Sequence, residues 1–194
     1  MASPSFEYVL PDAAERERSL RRLWGALLAY GLRYGEVYTT REVRGVAYWM
    51  PPGETGITIW RQVRTGFGLA RAVLSFRPES RRRLTAILFD YDESVRRRLV
   101  RGPCWYLSVL GVDPAYQGQG IGSRLLQPAL ARADAAGVPC YLETDTAENV
   151  RFYERHGFAV AHEGQAPGHP LTMWAMLRQP LAPPGDGRTA GSRL

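Results

Sequence analysis

Apolar positions along the chain change their period several times, and each change marks an element. Leu20, Leu23, Trp24, Leu27 and Leu28 recur at helical spacing. That helix starts at a capping box, Asp12 with Glu15, and stops at Gly31 or Gly35. Residues Met1–Leu10 carry no period and read as irregular. Alternation over Glu36–Thr40 and Gly45–Met50, around Arg41–Arg44, predicts a hairpin that Pro51-Pro52-Gly53 ends. Ile59–Leu74 and Glu79–Val100 read as two helices, the second with Leu84, Ile87, Leu88, Tyr91, Val95 and Leu99 on one face. Trp105–Val112 is a continuous apolar run, a buried strand that Asp113-Pro114 stops because proline lacks the N–H a ladder needs.

Gly118, Gly120 and Gly122 follow, and an amphipathic helix with Leu125, Leu126, Leu130 and Ala133 inward runs to Gly137. Pro139–Thr144 reads as a strand. A helix from Ala147 to His156 comes next, capped by Asp145 or Thr146 and closed by a left-handed Gly157. Phe158–His162 and Leu171–Leu177 form a second antiparallel pair, and Arg178–Leu194 reads as a mobile tail. A strand–helix–strand unit flanked by antiparallel strands gives an α/β fold with a mixed central sheet, mostly antiparallel around one central parallel pair, and helices on both faces. The expected organisation is one domain over residues 1–178 and a tail over 179–194.

Composition changes this picture little. The chain has 194 residues, 45% hydrophobic and 23% charged, as an ordinary globular protein does. Leu23–Leu32, the longest apolar run near the N-terminus, is about half a membrane span, and no charged segment with a cleavage site precedes it. A cytoplasmic protein without membrane contact is expected. All 25 basic residues are arginine, and the net charge is +6. The arginine runs at Arg16–Arg22, Arg81–Arg83 and Arg96–Arg101 lie beside Glu15, Glu17, Glu79, Asp92 and Glu93, so they read as ion-paired helix faces rather than a nucleic-acid surface. The missing lysine reads as a codon bias or a thermal bias rather than a functional device. Cys104 and Cys140 fit no metal spacing and read as reduced core residues; no metal is expected. His156 reads as a helix-end residue, and His162 and His169 carry no chemistry.

The chemistry concentrates in the strand, glycine-rich turn and helix of Trp105–Arg124. Bare backbone N–H groups at a helix N-terminus make a cradle for phosphate. A P-loop needs a lysine, which this chain does not have. A dinucleotide fingerprint needs a glycine where Ser123 stands, although Glu143 lies at the distance of its acidic residue.

Q-G-Q-G-I-G after V-D-P and a strand, then L-E-T, then N-V-R-F-Y-E-R-H-G-F, resembles the GNAT superfamily of acetyl-CoA-dependent N-acetyltransferases, within it most closely the puromycin N-acetyltransferase-like branch. The resemblance is specific over Trp105–Gly157 and looser over Pro11–Pro52 and Leu171–Arg178. It implies a GNAT-like sheet whose parallel pair splays at the cofactor, after Val112 and Thr144. It implies that the backbone of Val109, Leu110, Gly111 and Val112 holds a pantetheine arm, that Gln117, Gly118, Gln119, Gly120, Ile121, Gly122 and Ser123 hold the pyrophosphate, and that Asn149 contacts the cofactor near its thiol end. Tyr153 matches the tyrosine that protonates the departing thiolate. Glu143 matches a carboxylate acting as base through water, or else one that only positions the amine. The chain departs from the branch in two ways. It lacks a strand and helix that precede the segment matching Ser3–Pro11, either because it starts at an internal methionine or because that edge is absent. It also has Cys104 where relatives often carry histidine.

The expected function is acetyl transfer from acetyl-CoA to the primary amine of a small molecule, in a monomer or homodimer. The alternatives are a non-catalytic acyl-CoA-binding module and a peptide or protein amine acetyltransferase. Tyr48, Trp49, Met50, Trp60, Phe67 and Trp174 are the aromatic and apolar candidates for a substrate pocket.

Overall fold

Alternate residues of the central strands send their side chains to opposite faces of one six-stranded sheet, ordered β1 (Glu36–Thr39), β2 (Gly45–Met50), β3 (Trp105–Val112), β4 (Cys140–Thr144), β6 (Met173–Arg178) and β5 (Ala159–Gly164). The computed structural model describes residues 3–53, 59–165, 168 and 170–181, with the side chains of residues 59, 62 and 88–90 outside that description. Leu88, His169 and the tail from residue 182 therefore lie outside the described residues.

The chain opens with α1 (Pro4–Val9) and α2 (Ala13–Tyr34). Helix α1 corrects the expectation of an irregular start: Pro4 stands at its first position, where a missing N–H costs nothing. Asp12 caps α2 by accepting from the Glu15 N–H at 2.6 Å, as its sequence predicts. The hairpin is β1 (Glu36–Thr39) with β2 (Gly45–Met50). The stretch expected as one helix from Ile59 to Leu74 is two, α3 (Ile59–Arg64) and α4 (Gly68–Leu74), broken where Gly66 and Phe67 both take left-handed conformations. Next comes a continuous helical run of α5 (Pro78–Thr85), a wide π-helical turn over Ala86–Asp92, and α6 (Glu93–Leu99).

Strand β3 (Trp105–Val112) leads through a short turn at Pro114–Tyr116 to α7 (Ile121–Ala136). Then follow β4 (Cys140–Thr144), α8 (Ala147–Glu154), β5 (Ala159–Gly164) and β6 (Met173–Arg178). Thr146, rather than Asp145, caps α8 through the Asn149 N–H at 3.2 Å. β3 and β4 are parallel, and the other strand pairs are antiparallel.

The two sheet faces carry different cores. Ala47, Trp49, Trp105, Leu107, Cys140, Leu142 and Met176 pack against α7 and against Tyr153 of α8. On the other face Tyr48 and Met50 meet Tyr30 of α2, and Tyr141 and Ala175 meet Val95 of α6. Burial of apolar area on both sides is the main stabilising term. Arg178, itself buried, ties β6 to α7 by donating two hydrogen bonds to the Asp134 carboxylate at 2.7 and 2.8 Å. The arginine runs are ion-paired where their sequence neighbours suggest: Arg21 with Glu17, Arg83 with Glu79, Arg96 and Arg97 with Glu93. Cys104 and Cys140 are buried and free. Among the described residues no helix is long and apolar enough to cross a membrane.

Candidate functional site

The site begins with a slip in one strand's alternation. Trp105 and Leu107 face the α7 side, yet so do Leu110 and Val112, while Tyr106 and Val109 face the other side. The phase shifts at Ser108, where the register against β2 jumps from Leu107–Trp49 to Val109–Tyr48. Such a bulge bends its strand and strengthens the local twist. The consequence is visible in the pairing with β4, which covers only Trp105–Cys140 and Tyr106–Tyr141. Beyond Tyr106, β3 runs on with β2 alone, and beyond Tyr141, β4 runs on with β6 alone. The parallel pair is thus splayed as expected, but the slot opens well before Val112 and Thr144. Val109, Leu110, Gly111 and Val112 present an edge without a ladder partner on the slot side, and a Cβ placed on Gly111 would meet nothing within 4 Å.

At the end of that edge lies the glycine-rich turn. Gly118 and Gly120 have φ near +74° and +72°, a region that residues with a Cβ rarely adopt. Gly120 is the N-cap of α7, so the N–H groups of Ile121, Gly122 and Ser123 have no acceptor one turn back. Gly122 is needed for a different reason: a Cβ there would stand 3.2 Å from the Phe152 ring of α8. Gln117 ties the turn to β3 by donating to the Val112 carbonyl at 3.2 Å. Arg124, which donates to the Gln119 carbonyl at 3.1 Å, and Arg44, stacked over Tyr116 at 4.2 Å, add positive charge next to the turn. A phosphate-bearing ligand fits this cradle: donors, dipole and guanidiniums agree in sign. Asn149, in the first turn of α8, is exposed.

On the face opposite α7 the slot meets a cavity of about 590 Å³. Tyr106 and Ser108 reach it from β3, and Glu143, Thr144 and Asp145 from the end of β4. Its far end is apolar, with Trp24, Leu27, Leu69, Val73 and Leu84. Glu143 is half-buried, and burial pushes its carboxyl up to about 7. The hydroxyls of Tyr141 and Tyr106 and the Arg96 guanidinium pull it back down, although Tyr141 Oη makes no hydrogen bond of ordinary geometry.

Asp92 stands on the last position of the wide helical turn, 8% exposed, and its Oδ1 is buried without a partner. Burial first, then the charges of Glu143 and Asp145, raise this carboxyl. Asp145 is satisfied instead, accepting from the Ser5 N–H at 2.8 Å and from the Ser3 hydroxyl, so α1 is pinned across the cavity. Among the described residues no group of three or more His, Cys, Asp or Glu side chains could hold a metal ion.

Tyr153 lies on the α7 side of the sheet, 7% exposed, between Phe152 and Phe158. Burial raises its phenol above the ordinary value, so it stays protonated at neutral pH. Glu143 follows Tyr141 on the opposite face. A group reaching both Tyr153 and Glu143 must therefore sit in the slot between β3 and β4.

The aromatic substrate candidates lie away from this cavity. Tyr48 and Trp49 have no exposure and belong to the two cores, and Met50 packs with Tyr48. Trp60 is 75% exposed on α3, Phe67 is partly exposed at the helix break, and Trp174 packs against the α7-side core. None of them lines the cavity. A strand buried on both faces gives its aromatics to both cores, which an alternating run cannot reveal. Asp92, Arg96, Tyr106, Ser108 and Asp145 were missed because they read as solvated helix charges, strand interior or a helix cap; only the π turn and the bulge bring them together.

The sequence profile of the Acetyltransferase (GNAT) family matches residues 72–158. An uncharacterized N-acetyltransferase of Schizosaccharomyces pombe is 30% identical over 128 residues, 64% of this chain and 51% of that protein. The chain thus spans about half the length of that relative. Peptidyl-lysine N-acetyltransferase YjaB of Salmonella typhimurium is 33% identical over 118 residues, 56% of this chain and 77% of the relative. The crystal structure of a histone acetyltransferase HPA2 and related acetyltransferase from Corynebacterium glutamicum superimposes with a TM-score of 0.60 at 22% identity, over 94% of this chain and 85% of that one, a likeness of fold.

Proposed function

The chain belongs to the acetyltransferase (GNAT) family, as an N-acetyltransferase, and we propose that it moves an acetyl group from acetyl-CoA directly to the primary amine of a small molecule. The observation that carries this reading is the slot itself: an unpaired strand edge, a phosphate cradle at one end, and Glu143 and Tyr153 on its two sides. When bound, acetyl-CoA supplies a thioester, an acyl group with a good leaving sulfur.

In this reading the edge of Val109–Val112 binds the pantetheine amides as an added strand would, Gln117–Ser123 hold the pyrophosphate, and Asn149 contacts the thiol end. Glu143 accepts a proton from the amine, directly or through water, as the nitrogen–carbon bond forms. A carboxyl raised to about 7 is a far better acceptor than one at the ordinary value. Tyr153 donates a proton to the sulfur as the carbon–sulfur bond breaks. The resemblance to the puromycin N-acetyltransferase-like branch supports Glu143 in this role, and the cavity beside it supports a small acceptor over a peptide. Cys104 and Cys140 are buried, which favours direct transfer over an acetylated enzyme.

The test is coenzyme A thiol release from acetyl-CoA with a panel of small primary amines and lysine-containing peptides. Amine-dependent release, larger for small amines, is expected. Release with peptides alone would move the reading to a protein acetyltransferase, and binding without release would make the chain an acyl-CoA-binding module.

A further inference from the structure

The charge inside the cavity opposes the charge of the whole chain. The protein carries +6, yet the cavity wall holds four carboxyls, Asp92, Glu93, Glu143 and Asp145, against two guanidiniums, Arg96 and Arg97. Most of these groups are already engaged. Arg97 donates to Glu93 at 2.7 Å, and Arg96 donates to the same carboxylate while stacking over Tyr106. Asp145 is taken by Ser3 and Ser5. The hydroxyls of Tyr141 and Tyr106 stand beside Glu143, which leaves Asp92, a residue of the wall whose Oδ1 is buried without a partner. A buried carboxyl oxygen with no donor is costly, and a ligand that brings a donor or a positive charge to it offsets that cost. An organic ammonium fits that need, since it brings N–H donors and a positive charge to a carboxyl.

The other end of the cavity is built to a different chemistry. Trp24 and Leu27 of α2, Leu69 and Val73 of α4 and Leu84 of α5 give it an apolar wall, and α1 covers it with Phe6 and Val9. Its volume far exceeds what one lysine side chain fills. From this two-ended arrangement we infer that the acceptor is an amphiphilic primary amine, whose ammonium is held by Asp92 next to Glu143 and whose alkyl or aryl body of roughly eight carbons or more lies among the α2, α4 and α5 side chains. The inference rests on the acetyl-transfer reading for the word acceptor, but not for the binding site. An ammonium has three N–H donors and no acceptor, so it matches a pair of carboxyls. Asp92 is an anchor that sets specificity, and Glu143 is the neighbour that takes the proton.

The experiment is calorimetric titration of the full chain with n-octylamine, ethylamine and 1-octanol, with coenzyme A absent and present. Octylamine is expected to bind at least ~10-fold tighter than either comparison ligand, since one lacks the charge and the other the apolar body. Asp92→Asn should weaken octylamine at least ~10-fold and leave octanol unchanged, as loss of one member of a desolvated charge pair does. Leu27→Trp, filling the apolar end, should weaken octylamine and spare ethylamine. Equal binding of octanol and octylamine, or an Asp92→Asn variant with unchanged preference, overturns the inference. Because binding is read without turnover, the two readings fail separately. Asp92-dependent octylamine binding with no thiol release ends the acetyl-transfer reading alone. Rapid acetylation of short polar amines, with no gain from chain length, ends this inference alone.

Discussion

Asp92 closes the wide turn between α5 and α6, Glu143 nearly ends β4, and both line one cavity, where the charge of Glu143 helps to raise the Asp92 carboxyl. An apolar pair would be the more stable choice at these positions, so the arrangement reads as stability given up for a binding site.

That cost has a sign. The Asp92 carboxyl is raised from 3.8 to about 8 in the folded protein, so between those values the native state binds more protons than the unfolded one. Stability contributed by the protonated form is therefore lost as pH rises through that window. Asp92→Asn, which does not titrate, should gain Tm over the parent as pH rises from 5 to 8, by several degrees, since each pH unit inside that window is worth about 1.4 kcal/mol. Thermal unfolding of both proteins at the two pH values checks this; a gap that does not widen with pH contradicts it.

Catalysis should run the other way with pH. Glu143 must be ionised to accept a proton, so kcat/KM should rise with pH and level off above about 7. Burial sets that value first, with Tyr141, Tyr106 and Arg96 lowering it and Glu93 raising it, and the amine's own titration near 10 shapes only the alkaline side. Glu143→Gln should lose the acid limb and about 10²-fold or more of kcat/KM. An unchanged profile in the variant would remove Glu143 from the chemistry.

Tyr153 packs on Phe152 and Phe158 with its ring, which phenylalanine would retain. Tyr153→Phe should thus keep its Tm within a few degrees and bind coenzyme A normally, while kcat falls about 10²-fold. A fully active variant would leave Tyr153 a core aromatic and nothing more.

At Gly120 the backbone is left-handed and the space beside it is open, with only Arg124 Nη1 at 3.7 Å from a Cβ. Gly120→Ala should cost about 1 kcal/mol of stability from its φ alone. It should also weaken coenzyme A, since the turn that aims the N–H groups is disturbed. Chemical denaturation and a coenzyme A titration read the two effects; a variant with parental affinity would argue that the cradle does not hold the pyrophosphate.

Much of the fold was legible because period-2 and period-3.6 patterns follow directly from burial. Both hairpin strands, the Asp12 cap, the turn before α7 and the β3–α7–β4 unit stand where the residues put them. What the sequence hid was set by tertiary contact. The cue for α1, Ser3 before Pro4, was present, but its docking depends on Asp145 far along the chain. The break at Gly66–Phe67 was signalled only by a lone glycine, which helices also tolerate. Asp92 beside Glu93 looks like any solvated helix charge, and a π turn leaves no mark in composition. The glycine-rich turn before α7 was readable because glycine positions are a backbone property, whereas the cavity is made by a bulge and a helix irregularity.

The most direct test of the account is a single incubation of the full chain with acetyl-CoA and n-octylamine, followed by mass spectrometry of both small molecules and protein. The account predicts N-acetyloctylamine and free coenzyme A in equal amounts, dependent on Tyr153, with no acetyl group on the enzyme beyond its N-terminal amine, since the chain has no lysine. Acetyl-CoA recovered intact in the presence of the amine, or an acetylated cysteine as the carrier, would contradict it.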